Sequence, residues 1–131
     1  MATIHPDATV AEAVEALRQW SVGALVVSAD GRTIDGILSE RDIVRALGGP
    51  RRTLLDQLVA SIMSSPVRTC APTDRVEALM ALMTEKRIRH LPVEVDGRLG
   101  GIVSIGDVVK NRLTELEQET QVLEEYLHHG R

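Results

Sequence analysis

The sequence predicts an α/β fold (α+β by some schemes) in which one small β-α-β-β-α unit is used twice and a helix is added at the C-terminus. Three observations predict it. The chain resembles itself at a fixed offset, apolar residues recur at helical spacing at matching places in both copies, and paired apolar runs in each copy are joined through Asp-Gly.

At an offset of 66 residues Pro6 meets Pro72, Val10 meets Val76, Leu25 meets Leu91, Val27 meets Val93 and Asp30-Gly31-Arg32 meets Asp96-Gly97-Arg98. At 65, after one residue is dropped, Gly36-Ile37 meets Gly101-Ile102, Ser39 meets Ser104, Asp42 meets Asp107 and Val44 meets Val109. These twelve identities far exceed the roughly three that typical residue frequencies would give by chance over such a stretch.

Each copy opens with a short extended segment, Thr3-Ile4 and Val67–Cys70, closed by Pro6 or Pro72. An amphipathic helix follows. Val10, Ala13, Val14 and Leu17 in the first copy, and Val76, Leu79, Met80 and Met83 in the second, have the i, i+3, i+4, i+7 spacing that gathers side chains on one face. Thr9-x-x-Glu12 and Asp74-x-x-Glu77 have the form of capping boxes at the two helix starts. Two strands come next, Ala24–Ser28 with Ile34–Leu38 and Leu91–Val95 with Leu99–Val103, each pair expected to turn tightly at its Asp-Gly. Pro92 cannot donate to a ladder and is expected at a strand start or an edge. A second helix begins at Ser39 or Ser104. Gly48-Gly49-Pro50 ends the first unit, Thr53–Met63 is expected to form a connecting helix, and Ser64-Ser65-Pro66 turns into the second copy. The organisation expected is a first repeat over 1–50, a connection over 51–65, a second repeat over 66–112 and a helical extension over 113–131. A unit of about fifty residues buries too little surface to stand alone, so the two should pack sheet against sheet about a pseudo-twofold axis.

Composition narrows the function. Apolar residues at 44% and charged residues at 26% exclude disorder. A net charge of −4, with one Trp, one Tyr and no Phe, argues against a nucleic-acid partner by leaving neither a basic face nor a stacking platform. Cys70 is the only cysteine, so an intramolecular disulfide and a multi-cysteine metal site are excluded. The opening residues show no signal peptide and apolar runs such as Ala24–Val27 are too short for a membrane span, so a cytoplasmic location without a membrane partner is expected. A phosphate loop with lysine, His-Glu-x-x-His and Gly-x-Ser-x-Gly are all absent from the sequence, and no nucleophile–base pair stands out, so no enzymatic activity is expected.

The tandem unit, with Gly-Ile-Leu-Ser-Glu-Arg-Asp at 36–42 and Gly-Ile-Val-Ser-Ile-Gly-Asp at 101–107, resembles a pair of CBS domains, the Bateman module. The lead-in Ile62-Met63-Ser64-Ser65-Pro66-Val67-Arg68-Thr69 and the segment Arg89–Val93 resemble the same family, and the chain is similar to small stand-alone bacterial CBS-pair proteins. The resemblance covers about residues 3 to 112. Such proteins usually carry a lead-in before the first repeat as well; here the first repeat begins abruptly at Met1-Ala2-Thr3, so two readings stand, a shortened opening or a longer protein trimmed at this end.

Ser39-x-x-Asp42 and Ser104-x-x-Asp107 carry two readings. Ser-x-x-acid at a helix start is an N-capping pattern. A fixed carboxylate can also accept hydrogen bonds from the vicinal hydroxyls of a ribose, while a helix N-terminus with a serine hydroxyl suits phosphate. The family resemblance implies the second use, with an adenosine nucleotide (AMP, ADP, ATP or NAD(H)) as regulatory ligand and no required cofactor or metal. It also implies a base pocket from the opening segments around Thr3, Ile4, Thr69, Cys70 and Ala71, flanked by Val22, Ile37, Ile88 and Ile102. Arg41, Arg87, Arg89 and His90 are the phosphate candidates, since Arg grips phosphate bidentately and His does so when protonated. Lys86–His90 gives the second site more positive charge than Trp20–Ala24 gives the first, so unequal affinities are expected.

Val109, Leu113, Leu116, Thr120, Leu123 and Leu127 step by four and three, which is a heptad seam beside an acidic face. Two placements stand: the helix packs on its own module, or it crosses to a second chain, as CBS pairs tend to homodimerise. His128 and His129 are adjacent, diverge on a helix, and read as solvated. Two functions remain: a nucleotide sensor acting on an unidentified regulated protein, and a ligand-free dimerising scaffold whose Ser-x-x-Asp motifs only cap helices.

Overall fold

The computed structural model describes residues 3–49 and 53–129, with side chains as far as residue 118. The chain divides into two compact units, 1–72 with 92–102 and 73–91 with 103–131.

The first unit is organised around one strand. In β2 (Ala24–Val27) every residue is buried, because the run Ala-Leu-Val-Val has no polar side to turn outward. On one side it pairs in parallel with β1 (Thr3–Ile4), Thr3 opposite Val26 and Ile4 opposite Val27. On the other it pairs antiparallel with β3 (Gly36–Ser39), Ala24 opposite Ser39 and Val27 opposite Gly36. Helix α1 (Val10–Trp20) covers this sheet with Val10, Ala13 and Leu17; Val14, expected on the same face, is 40% exposed. The Thr9 hydroxyl accepts the Glu12 N–H at 3.2 Å, so the first expected cap forms. Ile4, Ala13, Leu17, Leu25, Val27, Leu38 and Val59 make the core.

Three local expectations are corrected here. The first Asp-Gly does not make a tight hairpin, since β2 and β3 are separated by eight residues, Ser28–Asp35. The Asp30 carboxylate instead gathers the N–H groups of Thr33 (2.7 Å) and Arg32 (2.8 Å), with the Thr33 and Ser28 hydroxyls. These donors, led by the Thr33 N–H, hold its carboxyl well below the usual carboxylate range. Next, the connection is not one helix. A 3-10 turn at Leu54–Asp56 and the short α3 (Val59–Ile62) are split by extended residues, because Gln57 and Val59 bond to the chain ahead of α1: Val10 N–H to the Gln57 carbonyl and Val59 N–H to the Ala8 carbonyl, both 2.8 Å. Helix α2 (Glu40–Ala46), between β3 and this connection, starts at Ser39 as expected.

The third correction concerns α4 (Val76–Lys86) of the second unit. Its N-cap is Arg75 rather than Asp74, and the Arg75 side chain makes no cap hydrogen bond. Met83 is its buried residue, while Val76, Leu79 and Met80 are partly covered. Helix α5 (Ile105–His129) packs along α4 through buried Val108, and the Arg112 guanidinium donates to Glu77 at 2.8 Å and Glu115 at 3.2 Å.

Strands β4 (His90–Val95) and β5 (Arg98–Ser104) form a two-stranded sheet whose turn, Asp96-Gly97, takes φ 53° and 75°, as a tight Asp-Gly hairpin requires. Pro92 is the third residue of β4 rather than its first, and β4 is an edge of the two-stranded sheet, the second of the two places expected for it. It stands where Val26 stands in the first copy. Val26 faces Ile37, whose own N–H and C=O point away to Ser64, so a proline there forgoes only a donor toward the opening segment. The expected opening strand Val67–Cys70 is accordingly reduced to one parallel bridge, Cys70 with Val93.

The repeat is reproduced in backbone detail. Ser21 and Arg87 both end their helices in the left-handed region, at φ 52° and 54°. Val22 N–H bonds the Leu17 carbonyl at 3.1 Å, as Ile88 bonds Met83 at 3.0 Å; Ser28 bonds Ile4 at 2.9 Å, as Glu94 bonds Cys70 at 2.8 Å. Among the described residues no helix is long and apolar enough to cross a membrane.

Candidate functional site

Each Ser-x-x-Asp sits where the last strand of its copy becomes a helix, and one backbone bond fixes that corner in both copies. Glu40 N–H bonds the Gly23 carbonyl at 3.0 Å, and Ile105 N–H bonds the Arg89 carbonyl at 2.8 Å. The start of the helix is thereby tied to the residues that lead into the preceding strand, Val22–Ala24 in one case and Ile88–His90 in the other.

At the first corner Ser39 is extended (φ −110°, ψ 164°) and caps α2. Asp42 Oδ2 accepts the Ser39 N–H at 2.8 Å and its hydroxyl at 3.0 Å, and the Ser39 oxygen accepts the Asp42 N–H at 3.3 Å. Asp42 Oδ1 accepts a further bond from the Ser64 hydroxyl at 3.2 Å. Ser64 arrives from the connection by pairing antiparallel with Ile37: Ser64 N–H to the Ile37 carbonyl at 2.9 Å and Ile37 N–H to the Ser64 carbonyl at 3.1 Å. The approach is close enough to need glycine at 36, where a Cβ would lie 2.7 Å from Met63 Sδ and 2.9 Å from the Ser64 carbonyl oxygen.

At the second corner Asp107 Oδ2 accepts the Ser104 N–H at 3.2 Å, and the Ser104 oxygen accepts the Asp107 N–H at 3.2 Å. Asp107 is exposed where Asp42 is half-buried, and no other described residue is bonded to its carboxylate. A Cβ at Gly101 would meet nothing within 4 Å among the described residues, so the counterpart of the Met63–Ser64 approach is lacking there.

The capping reading of both motifs is therefore present in the geometry. An ionised carboxylate offers about four acceptor positions, and neither Asp42 nor Asp107 has all of them filled by its described partners, so capping and ligand binding coexist. In the first unit, Thr3 and Ile37 pair with Val26 from opposite sides, and Val22 precedes the tied Gly23. Ile4 is buried in the core, so what it offers outward is backbone. Arg41 stands in the first turn of α2, exposed. The remaining candidates divide between the units. Thr69, buried Cys70, Ala71 and half-buried Ile102 belong to the first, while Ser104, Asp107, Arg87, Ile88, Arg89 and His90 belong to the second. There the bond from Ile105 brings Arg89 to the Ser104 corner, with Arg87 and Ile88 just before it. Ser64 was missed from the sequence, where it reads as a turn residue; Gly36 was noticed only as part of a repeated Gly-Ile. Among the described residues no group of three or more His, Cys, Asp or Glu is placed to hold a metal ion.

Comparison with known proteins settles the family. The CBS domain family matches residues 1–49 and again 59–113. The chain belongs to the CBS-domain family. As a tandem CBS protein it is similar to the CBS domain-containing protein CBSX3, mitochondrial, of Arabidopsis thaliana, 40% identical over 128 residues, which are 95% of this chain and 62% of that one. The CBS pair thus spans less than two thirds of the length of this relative. Among solved structures, the CBS-domain containing protein ATU1752 from Agrobacterium tumefaciens superposes with TM-score 0.81 at 44% identity, covering 86% of this chain and 89% of that one. CBSX2 in complex with AMP superposes with TM-score 0.75 at 27% identity, covering 87% of this chain and 88% of that one.

Proposed function

We propose that this CBS pair is a non-catalytic regulatory module that binds an adenosine-type nucleotide (AMP, ADP, ATP or NAD(H)) at its Ser-x-x-Asp corners and passes its occupancy to a partner protein through a homodimer. The observation that carries the reading is the repetition of one polar corner, serine, aspartate and tied backbone, at equivalent places in both copies. A structural relative solved with AMP supports the class of ligand. In this reading Asp42 and Asp107 take ribose hydroxyls, Ser39 and Ser104 add a hydroxyl each, and Arg41 or Arg87, Arg89 and His90 meet the phosphates. The base lies against the opening segments, Thr3-Ile4 or Thr69–Ala71, with Val22, Ile37, Ile88 and Ile102 as apolar flanks. The repeat boundaries at 50, 65 and 112 belong to the same proposal. So does a cytoplasmic location, beside a relative whose name places it in the mitochondrion.

A thermal-shift panel tests it, with AMP, ADP, ATP, NAD(H) and S-adenosylmethionine on the wild type, Asp42→Asn and Asp107→Asn. Asparagine keeps an acceptor for the cap while removing the charge. A ligand bound only by the folded state adds about 2.7 kcal/mol at a hundredfold excess over its Kd. A rise with one adenosine compound that either substitution reduces is the expected outcome. A cooperative melt indifferent to all five leaves the ligand-free scaffold in its place.

A further inference from the structure

The hydrogen bond from Ser64 to Asp42 makes the two corners chemically unequal, and it comes from the connection rather than from either repeat's own motif. We propose that the Ser64 hydroxyl competes with a ligand's vicinal diol for Asp42, so that the first site is the weaker one and its filling releases a contact of the connecting segment; this rests on the nucleotide reading above.

The argument is one of acceptor capacity. An ionised carboxylate offers about four acceptor positions. Three are taken at Asp42: the Ser39 N–H and hydroxyl on Oδ2, and the Ser64 hydroxyl on Oδ1. A ribose diol brings two donors, one more than remain, so one internal donor has to yield. The Ser39 N–H is fixed by the backbone at 2.8 Å, and its hydroxyl, at 3.0 Å, is also held by the Asp42 N–H. The Ser64 bond is the longest of the three at 3.2 Å and Ser64 is exposed, so water can take over its hydroxyl. Ser64 therefore yields. At Asp107 only the Ser104 N–H is taken up by the carboxylate among the described residues, and a diol fits without displacement.

What yields is part of a longer attachment. Ser64 also exchanges two backbone hydrogen bonds with Ile37, and the Ser65 hydroxyl donates to the Asp35 carbonyl at 2.9 Å, so the connection lies stapled along β3 by bonds that a ligand does not contest. A diol at Asp42 removes one bond from this set without detaching the segment, which is a graded response of the link between the repeats to occupancy.

The test is isothermal titration of AMP and of 2′-deoxyadenosine monophosphate into Asp107→Asn protein, which keeps only the first site, with and without Ser64→Ala. Removing the competitor is expected to tighten AMP severalfold and leave the deoxy compound unchanged, since its single hydroxyl fits the vacant position. Ser64→Thr, which keeps the hydroxyl, and Ser65→Ala, which loosens the segment without touching Asp42, should both bind AMP like the parent. Equal AMP affinity with and without the Ser64 hydroxyl overturns the proposal, as does an equal gain for both compounds. Undiminished AMP binding when Asp42→Asn is added instead shows that Asp42 is not the ribose acceptor; absence of AMP binding in the parent and in the wild type, together with a melt indifferent to all five compounds of the panel, removes the nucleotide reading and this inference with it.

Discussion

Two glycines at matching places in the repeat do different work. Gly36 has no positive φ to accommodate; what it permits is the approach of Met63 and Ser64, within 2.7 Å and 2.9 Å of where a Cβ would stand. Gly101, its equivalent, faces nothing within 4 Å among the described residues. Gly36→Ala should therefore destabilise the protein by about 1–3 kcal/mol, the usual range for forcing a methyl into packed surroundings. Gly101→Ala should be neutral or stabilising by up to about 1 kcal/mol, since alanine loses less backbone freedom on folding. Urea denaturation of both variants checks this, and equal effects would mean that the connection does not press on β3. The same contrast shows what can be read at this scale. Ser39, Asp42, Ser104 and Asp107 were legible because a motif repeated at fixed offset singles out its own residues. Ser64 was not, since it meets Asp42 from 22 positions away through a strand pairing that no local pattern announces.

At the scale of elements, the helices were legible and their surroundings less so. Apolar spacing placed α1 and α4 correctly because each buries one stripe, and the repeat checked one against the other. The connection misled because Leu54, Leu55, Leu58, Val59 and Ile62 do have helical spacing, while the backbone around Gln57 and Val59 is claimed by Ala8 and Val10. Tertiary pairing overrode local preference there. The two Asp-Gly turns diverged for a similar reason: in the first copy the Asp30 side chain collects the loop's own N–H groups, which an eight-residue loop allows and a two-residue turn does not. The cap of α4 offers a direct test. Its N-cap, Arg75, supplies no side-chain acceptor, unlike Thr9 on α1. Arg75→Ser should therefore stabilise the fold by about 1 kcal/mol, the common value of a cap, measured by denaturation against Thr9→Ala, which should cost a similar amount. A destabilised Arg75→Ser protein would show that the arginine serves α4 in some other way.

For the molecule as a whole, the open question of assembly turns on which side of α5 is committed. The side toward α4 is fixed by Val108, 3% exposed, and by Arg112, tied to Glu77 and Glu115. The heptad seam lies elsewhere on the helix: Val109, Leu113 and Leu116 are 38%, 55% and 41% exposed, while Thr120, Leu123 and Leu127 fall outside the residues whose side chains are described. Of the two placements read from the sequence, packing on its own module accounts for Val108 and leaves Val109, Leu113 and Leu116 exposed. A free helix with fewer than three heptads would be marginal, yet this one is nucleated by its contact with α4, so the seam needs only to add association. Each leucine fully buried between two chains would contribute about 1.5–3 kcal/mol, enough for a few of them to hold a dimer at micromolar concentration. Sizing with light scattering should accordingly give twice the chain mass for the wild type. Leu113→Glu with Leu116→Glu should give the single mass with unchanged helical circular dichroism, because both side chains already face water in the isolated chain. Glu117→Lys, a change among the acidic residues between the seam positions, should keep the dimer. A double variant that still elutes as a dimer would place the interface away from this seam, and a monomeric wild type would leave α5 serving its own unit alone.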